Sequence, residues 1–219
     1  MAENILTVEN LNIAYQGVPA VMDVNFTLER GKVLTIVGES GSGKTTVIRA
    51  LMGLLPVGGE VTDGTMIFNG HNLRTLSKSE WRAIRGKDMA MIFQDSGNMM
   101  NPIQTIGKQF VEFIQLHSTM SKQEAEAKAI EMLALTNLPH PEAIMKAYPF
   151  ELSGGMRQRV GIAMAITFSP KLLLGDEPTS ALDVTTQAQI VEELLRINRE
   201  NKTSMIIVTH NIGVAAHMS

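Results

Sequence analysis

The chain has 219 residues, a formal net charge of −3 and no cysteine. Its hydrophobic content of 44% is enough for a packed core, which excludes an intrinsically disordered chain. The charge excludes nucleic-acid binding through bulk positive charge, and the absence of cysteine excludes disulfide scaffolds, zinc–thiolate sites and iron–sulfur clusters. Aromatic residues make up 5%, too few for a platform that stacks single strands, so we expect no nucleic-acid partner.

No segment of the sequence is typical of a membrane or secreted protein. The N-terminal residues lack the basic and apolar regions of a signal peptide. The longest strongly apolar stretch without charge, residues 160–170, is well short of the roughly 20 residues that a membrane helix needs. Any membrane role is therefore expected to go through a partner protein.

The apolar pattern indicates two kinds of sheet. Apolar and polar residues alternate over residues 6–15 and 24–28, which is typical of an antiparallel sheet with one wet face. Three uninterrupted apolar runs instead indicate central buried strands: Val33–Val37, Leu172–Leu174 and Met205–Val208. Because helical stretches separate these runs, we predict an α/β core with a largely parallel sheet.

Helices are predicted between the strands. One runs over residues 45–55, directly after a glycine-rich loop. A second starts at Ser121, which forms an S-x-x-E capping box with Glu124. Apolar residues at helical spacing indicate a third over residues 190–197. Residues 95–152 contain no buried strand pattern, so we interpret them as a helical insertion into the core.

The glycine-rich loop matches the pattern G-x-x-x-x-G-K-[ST] over residues 38–45. It follows an apolar strand and opens a helix, which is the context that a phosphate-binding loop needs. Glycines let consecutive N–H groups point at phosphate oxygens, and the helix N-terminus adds its positive dipole end. We predict that Lys44 reaches the β- and γ-phosphates and that the Thr45 hydroxyl binds Mg²⁺. The alternative is a glycine-rich turn without a ligand.

Two carboxylates follow the buried run at Leu172–Leu174. Asp176 and Glu177 end this strand at a place where unpaired charge would be costly. We predict that Asp176 binds the Mg²⁺ held by Thr45 and that Glu177 is the general base that activates water. An acid pair that simply faces solvent is the alternative.

A further segment, Leu152–Arg159, reads LSGGMRQR. Its serine and two glycines precede a helix start, so they form a second phosphate-binding nest in the same chain. The segment closely resembles the LSGGQ signature of the ABC-type ATPases. This resemblance implies a head-to-tail dimer in which Ser153, Gly154 and Gly155 close over the γ-phosphate bound by the second subunit.

The resemblance extends over nearly the whole chain. It implies that Tyr15 stacks on adenine and that Gln94 senses Mg²⁺ and the γ-phosphate. Ser180–Asp183 resembles the D-loop of the family, with Asp183 crossing the dimer interface, and His210 resembles the histidine that orders the γ-phosphate. Ordinary structural roles for Tyr15, Gln94 and His210 are the alternatives.

The motifs and the resemblance together define three sets of site residues. The predicted catalytic residues are Lys44, Gln94, Glu177 and His210. The predicted metal ligands are Thr45, Gln94 and Asp176. The predicted nucleotide-binding residues are Tyr15, Gly38, Ser40, Gly41, Ser42, Gly43, Lys44, Thr45, Thr46, Ser153, Gly154, Gly155 and Asp183. The implied cofactors are ATP and Mg²⁺.

Within that family, residues 84–107 and 148–151 resemble the subfamily that imports oligopeptides, dipeptides or nickel. This implies integral membrane permease subunits as partners, a second ATPase subunit that is identical or paralogous and, indirectly, an extracytoplasmic substrate-binding protein. It places the chain peripherally on the cytoplasmic face of a bacterial inner membrane. Ser96–Met100 departs from the usual sequence after Gln94, in a region expected to face the permease.

The expected fold is therefore α/β, with a P-loop NTPase core, a mostly parallel sheet, an N-terminal antiparallel β subdomain and an inserted helical subdomain. We expect one ABC ATPase domain. Its predicted parts are residues 1–94 (β subdomain and P-loop core), 95–158 (helical subdomain) and 159–219 (the rest of the core). Because family members continue well past the histidine, we expect a C-terminally truncated chain.

The leading hypothesis is an ATP-hydrolysing subunit that powers an importer for peptides or nickel by ATP-driven dimer closure. One alternative is the ATPase of a different transporter class. Another is an ATPase that acts in chromosome maintenance or translation, which the absence of coiled coils and of basic charge disfavours. The last is a truncated nucleotide-binding fragment that is inactive alone.

Overall fold

The computed structural model describes residues 3–94, 96–180 and 182–218. The strands are β1 (Asn4–Tyr15), β2 (Val18–Glu29), β3 (Val33–Val37), β4 (Gly59–Phe68), β5 (His71–Asn72), β6 (Met89–Ile92), β7 (Leu172–Asp176) and β8 (Ser204–Thr209). The α-helices are α1 (Lys44–Leu51), α2 (Lys78–Ile84), α3 (Ile106–His117), α4 (Lys122–Leu135), α5 (Pro141–Lys146), α6 (Gly154–Ile166), α7 (Val184–Asn201) and α8 (Ile212–Met218). Short 3-10 turns lie at Leu73–Thr75, Ser96–Met99 and Pro149–Glu151.

Within the described residues, one sheet is parallel, with the strand order β3-β8-β7-β6. Every residue of β7 and β8 is buried, as their apolar runs predict. The prediction that Val33–Val37 is a central buried strand is wrong. This strand, β3, lies at one end of the strand order and is half-buried, with Val37 46% exposed. An apolar run indicates a tendency to be buried, but it does not specify the position of a strand in the sheet.

The N-terminal strands form an antiparallel sheet with the order β2-β1-β4-β5. The alternating pattern predicts β1 and β2. It does not predict β4, in which Gly59, Asp63 and Gly64 interrupt the alternation. It also does not predict β6. The four buried residues of this strand form a short apolar run directly after a polar segment.

The parallel sheet separates two hydrophobic layers. On β7, Leu173 packs into the layer that contains α3, α4, α6 and α7. Leu172 and Leu174 point to the other side and pack with α1 and the antiparallel sheet. Residues of β8 alternate between the layers in the same way. This layering confirms the predicted α/β fold and places the helical segment on the side of the sheet opposite the antiparallel strands.

Helix ends follow from local capping. The predicted capping box opens α4, with Ser121 N donating to Glu124 Oε2 at 2.7 Å and Glu124 N donating to Ser121 Oγ at 3.3 Å. The helix after the glycine loop, α1, ends at Leu51, earlier than the predicted residue 55. Gly53, with φ of 61°, leads the chain out of the helix just after this point.

Arg85 joins the end of α1 to the segment that leads into β6. Its Nε donates to Met52 O at 2.8 Å and its Nη2 donates to Gly53 O at 2.9 Å. The guanidinium also lies over the Trp81 ring, 4.3 Å from the ring centre. A positive charge at a helix C-terminus is favourable to the helix dipole, so Arg85 both holds and stabilises the end of α1.

Replacing Arg85 with methionine is expected to lower the free energy of unfolding by about 1–2 kcal/mol, because two carbonyls at the end of α1 lose a charged donor. Urea denaturation measures the change. Arg82 is exposed on the neighbouring α2, so Arg82→Met is the matched control and should change the free energy of unfolding by less than about 0.5 kcal/mol. Equal losses in the two variants would contradict this role of Arg85.

No helix within residues 3–94, 96–180 and 182–218 combines the length and the hydropathy of a membrane span. The division into residues 1–94, 95–158 and 159–219 stays a prediction, and its second boundary falls inside α6.

Candidate functional site

Several of the predicted site residues lie at or just after the carboxyl ends of the parallel strands. Val37 pairs with Thr209 and Asp176 pairs with Val208, so the ends of β3, β7 and β8 are level. The end of β6 is level with β7 through the pairing of Ile92. The segments after these ends carry the glycine loop, Gln94, Glu177 and His210. Carboxyl ends of parallel strands are the place where α/β folds bind ligands.

The glycine loop adopts backbone angles that glycine tolerates best. Gly41 and Gly43 have φ of 82° and 87°. A Cβ on Gly43 would lie 3.0 Å from Val21 Cγ2, so the loop is in close contact with β2. Gly43 also caps α1, whose first N–H groups have no partners within the helix. The loop can therefore bind an anion through its backbone.

Lys44 is folded over this loop and is only 7% exposed. Its Nζ donates to Glu39 O and, at 3.2 Å, to Ser42 Oγ. Because both acceptors are uncharged, a phosphate oxygen would be the stronger partner for the ammonium. Of the other predicted nucleotide contacts, Ser40 is exposed in the loop and Thr46 is half-buried in the first turn of α1.

Thr45 and Asp176 are in direct contact. Thr45 Oγ1 donates to Asp176 Oδ1 at 2.7 Å. Asp176 is 4% exposed, and this burial raises its pKa, while the bond from Thr45 and the charge of Arg49 oppose the rise. A carboxylate and a hydroxyl are the hard oxygen ligands that Mg²⁺ prefers, and a buried carboxylate is stabilised by a cation. The pair therefore fits the predicted metal site.

Glu177 follows Asp176 and adopts an uncommon backbone conformation. Its φ is 46°, in the left-handed region that few residues other than glycine adopt, and its N–H donates to Val208 O at 2.9 Å. Its Oε2 lies 3.1 Å from Nδ1 of His210. Local backbone strain of this kind clusters at functional sites. The geometry brings the two residues together, with the carboxylate half-buried and the imidazole exposed.

Gln94 and Tyr15 lie on two other elements, the turn after β6 and the end of β1. Gln94 is exposed in the turn after β6, and Asp95, the next residue of the segment that resembles the import subfamily, lies outside the described residues. Tyr15 ends β1 and is half-buried, and a Cβ on Gly59 would lie 2.6 Å from its ring carbon Cε1. Tyr15 pairs with Val18 at the hairpin that leads into the part of β2 touching the glycine loop.

The signature segment opens α6. Ser153 caps the helix by accepting a hydrogen bond from Met156 N at 3.3 Å. Gly154 and Gly155 form the first turn, where N–H groups have no partner within the helix. Ser153 and Gly154 are exposed, so this second anion-binding nest is open to an incoming ligand.

The D-loop leads into α7 in a similar way. Asp183 caps α7 by accepting hydrogen bonds from Thr186 N at 3.0 Å and Thr186 Oγ1 at 2.6 Å. These bonds, the one from the side chain first, lower the pKa of Asp183. Ala181, part of the same predicted loop, lies outside the described residues. The Asp183 carboxylate is therefore engaged with its own helix in this structure.

Sequence reasoning missed Gln158. This residue is 4% exposed inside α6, and its Nε2 donates to Phe93 O at 3.2 Å. It therefore connects the signature helix to the turn that carries Gln94. A buried amide stabilises a single packing arrangement only when it is satisfied, so this contact holds the two segments in register. The only signal in the sequence is a polar residue on the buried face of a helix.

The chain matches a known protein family and several curated proteins. The ABC transporter family matches residues 21–180. The dipeptide transport ATP-binding protein DppD of Bacillus subtilis is 46% identical over 99% of this chain and 66% of its own length. The oligopeptide transport ATP-binding protein OppD of Haemophilus influenzae is 49% identical over 97% of this chain and 67% of its own. The chain thus spans about two thirds of the length of these curated relatives.

A solved structure shows the same fold. The ATP-binding cassette MJ0796, a dimer in a post-hydrolysis state bound to ADP and Pi, superimposes with a TM-score of 0.85. It is 29% identical, and the match covers 97% of this chain and 91% of that one. The matched family covers more than half of the chain. The chain belongs to the ABC transporter family.

Proposed function

We propose that this chain is the ATP-hydrolysing subunit of an importer and works as a head-to-tail dimer. The observation that carries this proposal is the hydrogen bond between Thr45 and the buried Asp176, with Glu177 beside it and His210 in contact with Glu177. A phosphate loop, a metal-binding acid and a base in one cluster are the parts that ATP hydrolysis needs. The names of the relatives and the phosphate-bound state of MJ0796 support the same activity.

In this proposal the chain's own residues bind the phosphates and activate water. The loop N–H groups and Lys44 bind the β- and γ-phosphates. Thr45 and Asp176 would hold Mg²⁺, which neutralises charge on the phosphate oxygens when bound. Glu177 accepts the proton of the attacking water through its carboxylate. His210 lies 3.1 Å from that carboxylate and orients the carboxylate. Gln94 contributes from the neighbouring turn.

The signature nest is the reason to propose a dimer. Within one chain, the neighbours of Gly154 and Gly155 are Leu182 and Thr186 on the α7 side. Because Ser153 and Gly154 are exposed, the nest is open to a γ-phosphate bound by a second subunit. The dimeric state of MJ0796 supports this arrangement. Asp183 and Tyr15 complete the proposed nucleotide contacts.

The proposed cargo is peptides or nickel, and the proposed site of action is the cytoplasmic face of the membrane. The peptide-transport names of the relatives support the cargo class. A permease would dock beside Gln94, where a groove is lined by flexible methionines that suit an adaptable interface: Met52, Met91, Met99, Met100 and Met164. ATP-driven closure of the dimer would then move this groove and the permease with it.

Replacing Asp176 with asparagine is expected to stabilise the fold and to weaken the binding of Mg²⁺–ATP. Without nucleotide and metal, Asp176→Asn should raise the free energy of unfolding at pH 8, because a buried charge disappears while an acceptor for Thr45 remains. Its affinity for Mg²⁺–ATP should fall more than about tenfold. Urea denaturation and nucleotide titration measure the two effects, with the exposed Asp63→Asn as control. Loss of stability together with intact Mg²⁺–ATP binding would contradict the metal role.

Mixing two inactive variants tests whether the ATP sites are shared between subunits. Lys44→Ala removes the phosphate-binding ammonium, and Gly154→Asp puts negative charge in the signature nest. A Cβ on Gly154 has Leu182 Cδ2 as its nearest neighbour at 4.0 Å, and an acid in the first turn favours a helix, so this variant should fold. An equal mixture should regain up to about a quarter of wild-type ATPase activity, because half of the dimers are mixed and each holds one intact site.

The control for this experiment mixes Lys44→Ala with Asp176→Asn. Each ATP site takes Lys44 and Asp176 from the same subunit, so each variant inactivates the site that its own phosphate loop forms. Every dimer therefore lacks an intact site, and no activity should return. No recovery in the first mixture, with both variants folded, would overturn the head-to-tail arrangement. Equal recovery in both mixtures would do the same.

A further inference from the structure

Helices α6 and α7 are in contact at their first turns. A Cβ on Gly155 would lie 2.9 Å from Thr186 Cγ2, and one on Gly154 would lie 4.0 Å from Leu182 Cδ2. The signature nest and the D-loop of the same chain are therefore neighbours. One turn further along α6, Arg159 occupies the same face as Gly155, and Gln189 and Glu193 continue the face of α7 that carries Thr186.

Arg159 holds three structural elements together. Its Nη1 donates to Glu193 Oε2 at 2.8 Å and to Thr136 O at 3.0 Å, and its Nη2 donates to Gln189 Oε1 at 2.8 Å. Glu193 and Gln189 belong to α7, and Thr136 is the C-cap of α4. The Arg159 side chain is 11% exposed and that of Glu193 is 1% exposed, so this is a buried ion pair. We call the set Arg159, Gln189, Glu193 and Thr136 the α6–α7 clamp.

A contribution to the stability of the fold does not explain the clamp well. Glu193 Oε1 is buried and has no hydrogen-bond partner among the described residues. Burial raises the pKa of Glu193 to about 7, although the charges of Arg159 on α6 and Arg196 on α7 oppose the rise. A buried ion pair with an unsatisfied oxygen is often less stable than apolar side chains of similar volume. The Arg159–Glu193 pair instead provides a directional contact. The guanidinium is planar, so its N–H groups reach all of their acceptors in only one arrangement of the helices.

We propose that Arg159, with Glu193 as its partner, is a positioning residue for ATP hydrolysis that holds the signature nest and the D-loop of one subunit in a fixed relation. This inference rests on the proposed head-to-tail dimer. In that dimer both loops face the second subunit, so a shift of α6 along α7 would misplace the nest relative to the γ-phosphate. A misplacement of about 1 Å is enough to reduce a rate by about a hundredfold.

The position of Arg159 in the chain supports this role. It lies four residues after Gly155 on α6, so it clamps the helix one turn beyond the nest and leaves the N–H groups of the first turn exposed. Gln158, the preceding residue, contacts Phe93 O near Gln94. Neighbouring residues of α6 thus connect the signature helix to the turn after β6 on one side and to α7 on the other.

The test compares four variants in the full chain. Arg159→Met removes the clamp. Arg159→Lys keeps the positive charge but loses the two donor groups, Nη1 and Nη2, of the guanidinium. Glu193→Gln keeps an oxygen acceptor for Arg159. The double variant Arg159→Met/Glu193→Leu removes both charges, which avoids an unpaired buried charge and should fold even if a single variant does not. The matched control is Lys128→Met/Glu131→Leu, which removes an exposed ion pair on α4. Thermal unfolding confirms that each variant is folded.

The readouts separate positioning from structure and from nucleotide binding. In the double variant we expect kcat to fall about tenfold or more, while Mg²⁺–ATP affinity of the monomer stays within about twofold of wild type. ATP-induced dimerisation, measured in a Glu177→Gln background, should weaken. Arg159→Lys should be intermediate, and Glu193→Gln and the control pair should stay within about twofold of wild-type kcat.

A folded double variant with wild-type kcat and wild-type dimerisation would overturn the positioning role. So would a loss of monomer ATP affinity equal to the loss of kcat, because that would indicate damage to the phosphate loop. Absence of ATP-induced dimers in the Glu177→Gln background with the clamp intact would instead contradict the proposed head-to-tail function, so the two failures are distinguishable.

Discussion

The hydrogen bond from Thr45 Oγ1 to Asp176 Oδ1 is the contact on which the site depends. It joins the first turn of the helix after the phosphate loop to the end of a fully buried strand far along the chain. Asp176 is buried at the edge of a hydrophobic core, where a carboxylate is unfavourable unless it has a donor and a cation. The fold therefore keeps an energetically unfavourable group at this position, which is the usual consequence of building a binding site into a stable core.

The parallel sheet determines what surrounds this contact. Because β7 and β8 are level at their ends, Glu177 and His210 meet within 3.1 Å without a dedicated loop. The left-handed backbone of Glu177 turns the chain immediately after Asp176, the proposed metal ligand. Antiparallel strands contribute from the other side, where β2 packs directly against Gly43 of the phosphate loop. Two sheets with different physical character thus meet at the nucleotide site.

Much of this site could be predicted from the sequence, because its parts depend on local chemistry. A phosphate loop needs glycines before a lysine and a threonine at fixed spacing, and Asp176 and Glu177 stand out as acids at the end of an apolar run. The capping residue Ser153 is visible for the same reason. In each case the backbone requirement and the chemical group lie within a few residues of each other.

The parts that sequence reasoning missed depend on contacts between distant segments. The half-buried state of β3 reflects its place in the strand order, and the short β6 gains its buried position from pairing with β7. Gln158 and Arg159 are ordinary polar residues until the fold places Phe93 and Glu193 opposite them. Periodicity describes one element at a time, so it cannot identify partners across the core.

In the proposed mechanism, two copies of this site act together on ATP, with Glu177 as the base. The most direct measurement is the ATPase rate per mole of chain over a wide range of protein concentrations, with Glu177→Gln as the comparison. A head-to-tail dimer with Glu177 as the base should give a specific rate that rises with concentration and disappears in the variant. A specific rate that is independent of concentration, or a variant that hydrolyses ATP at the full rate, would contradict it.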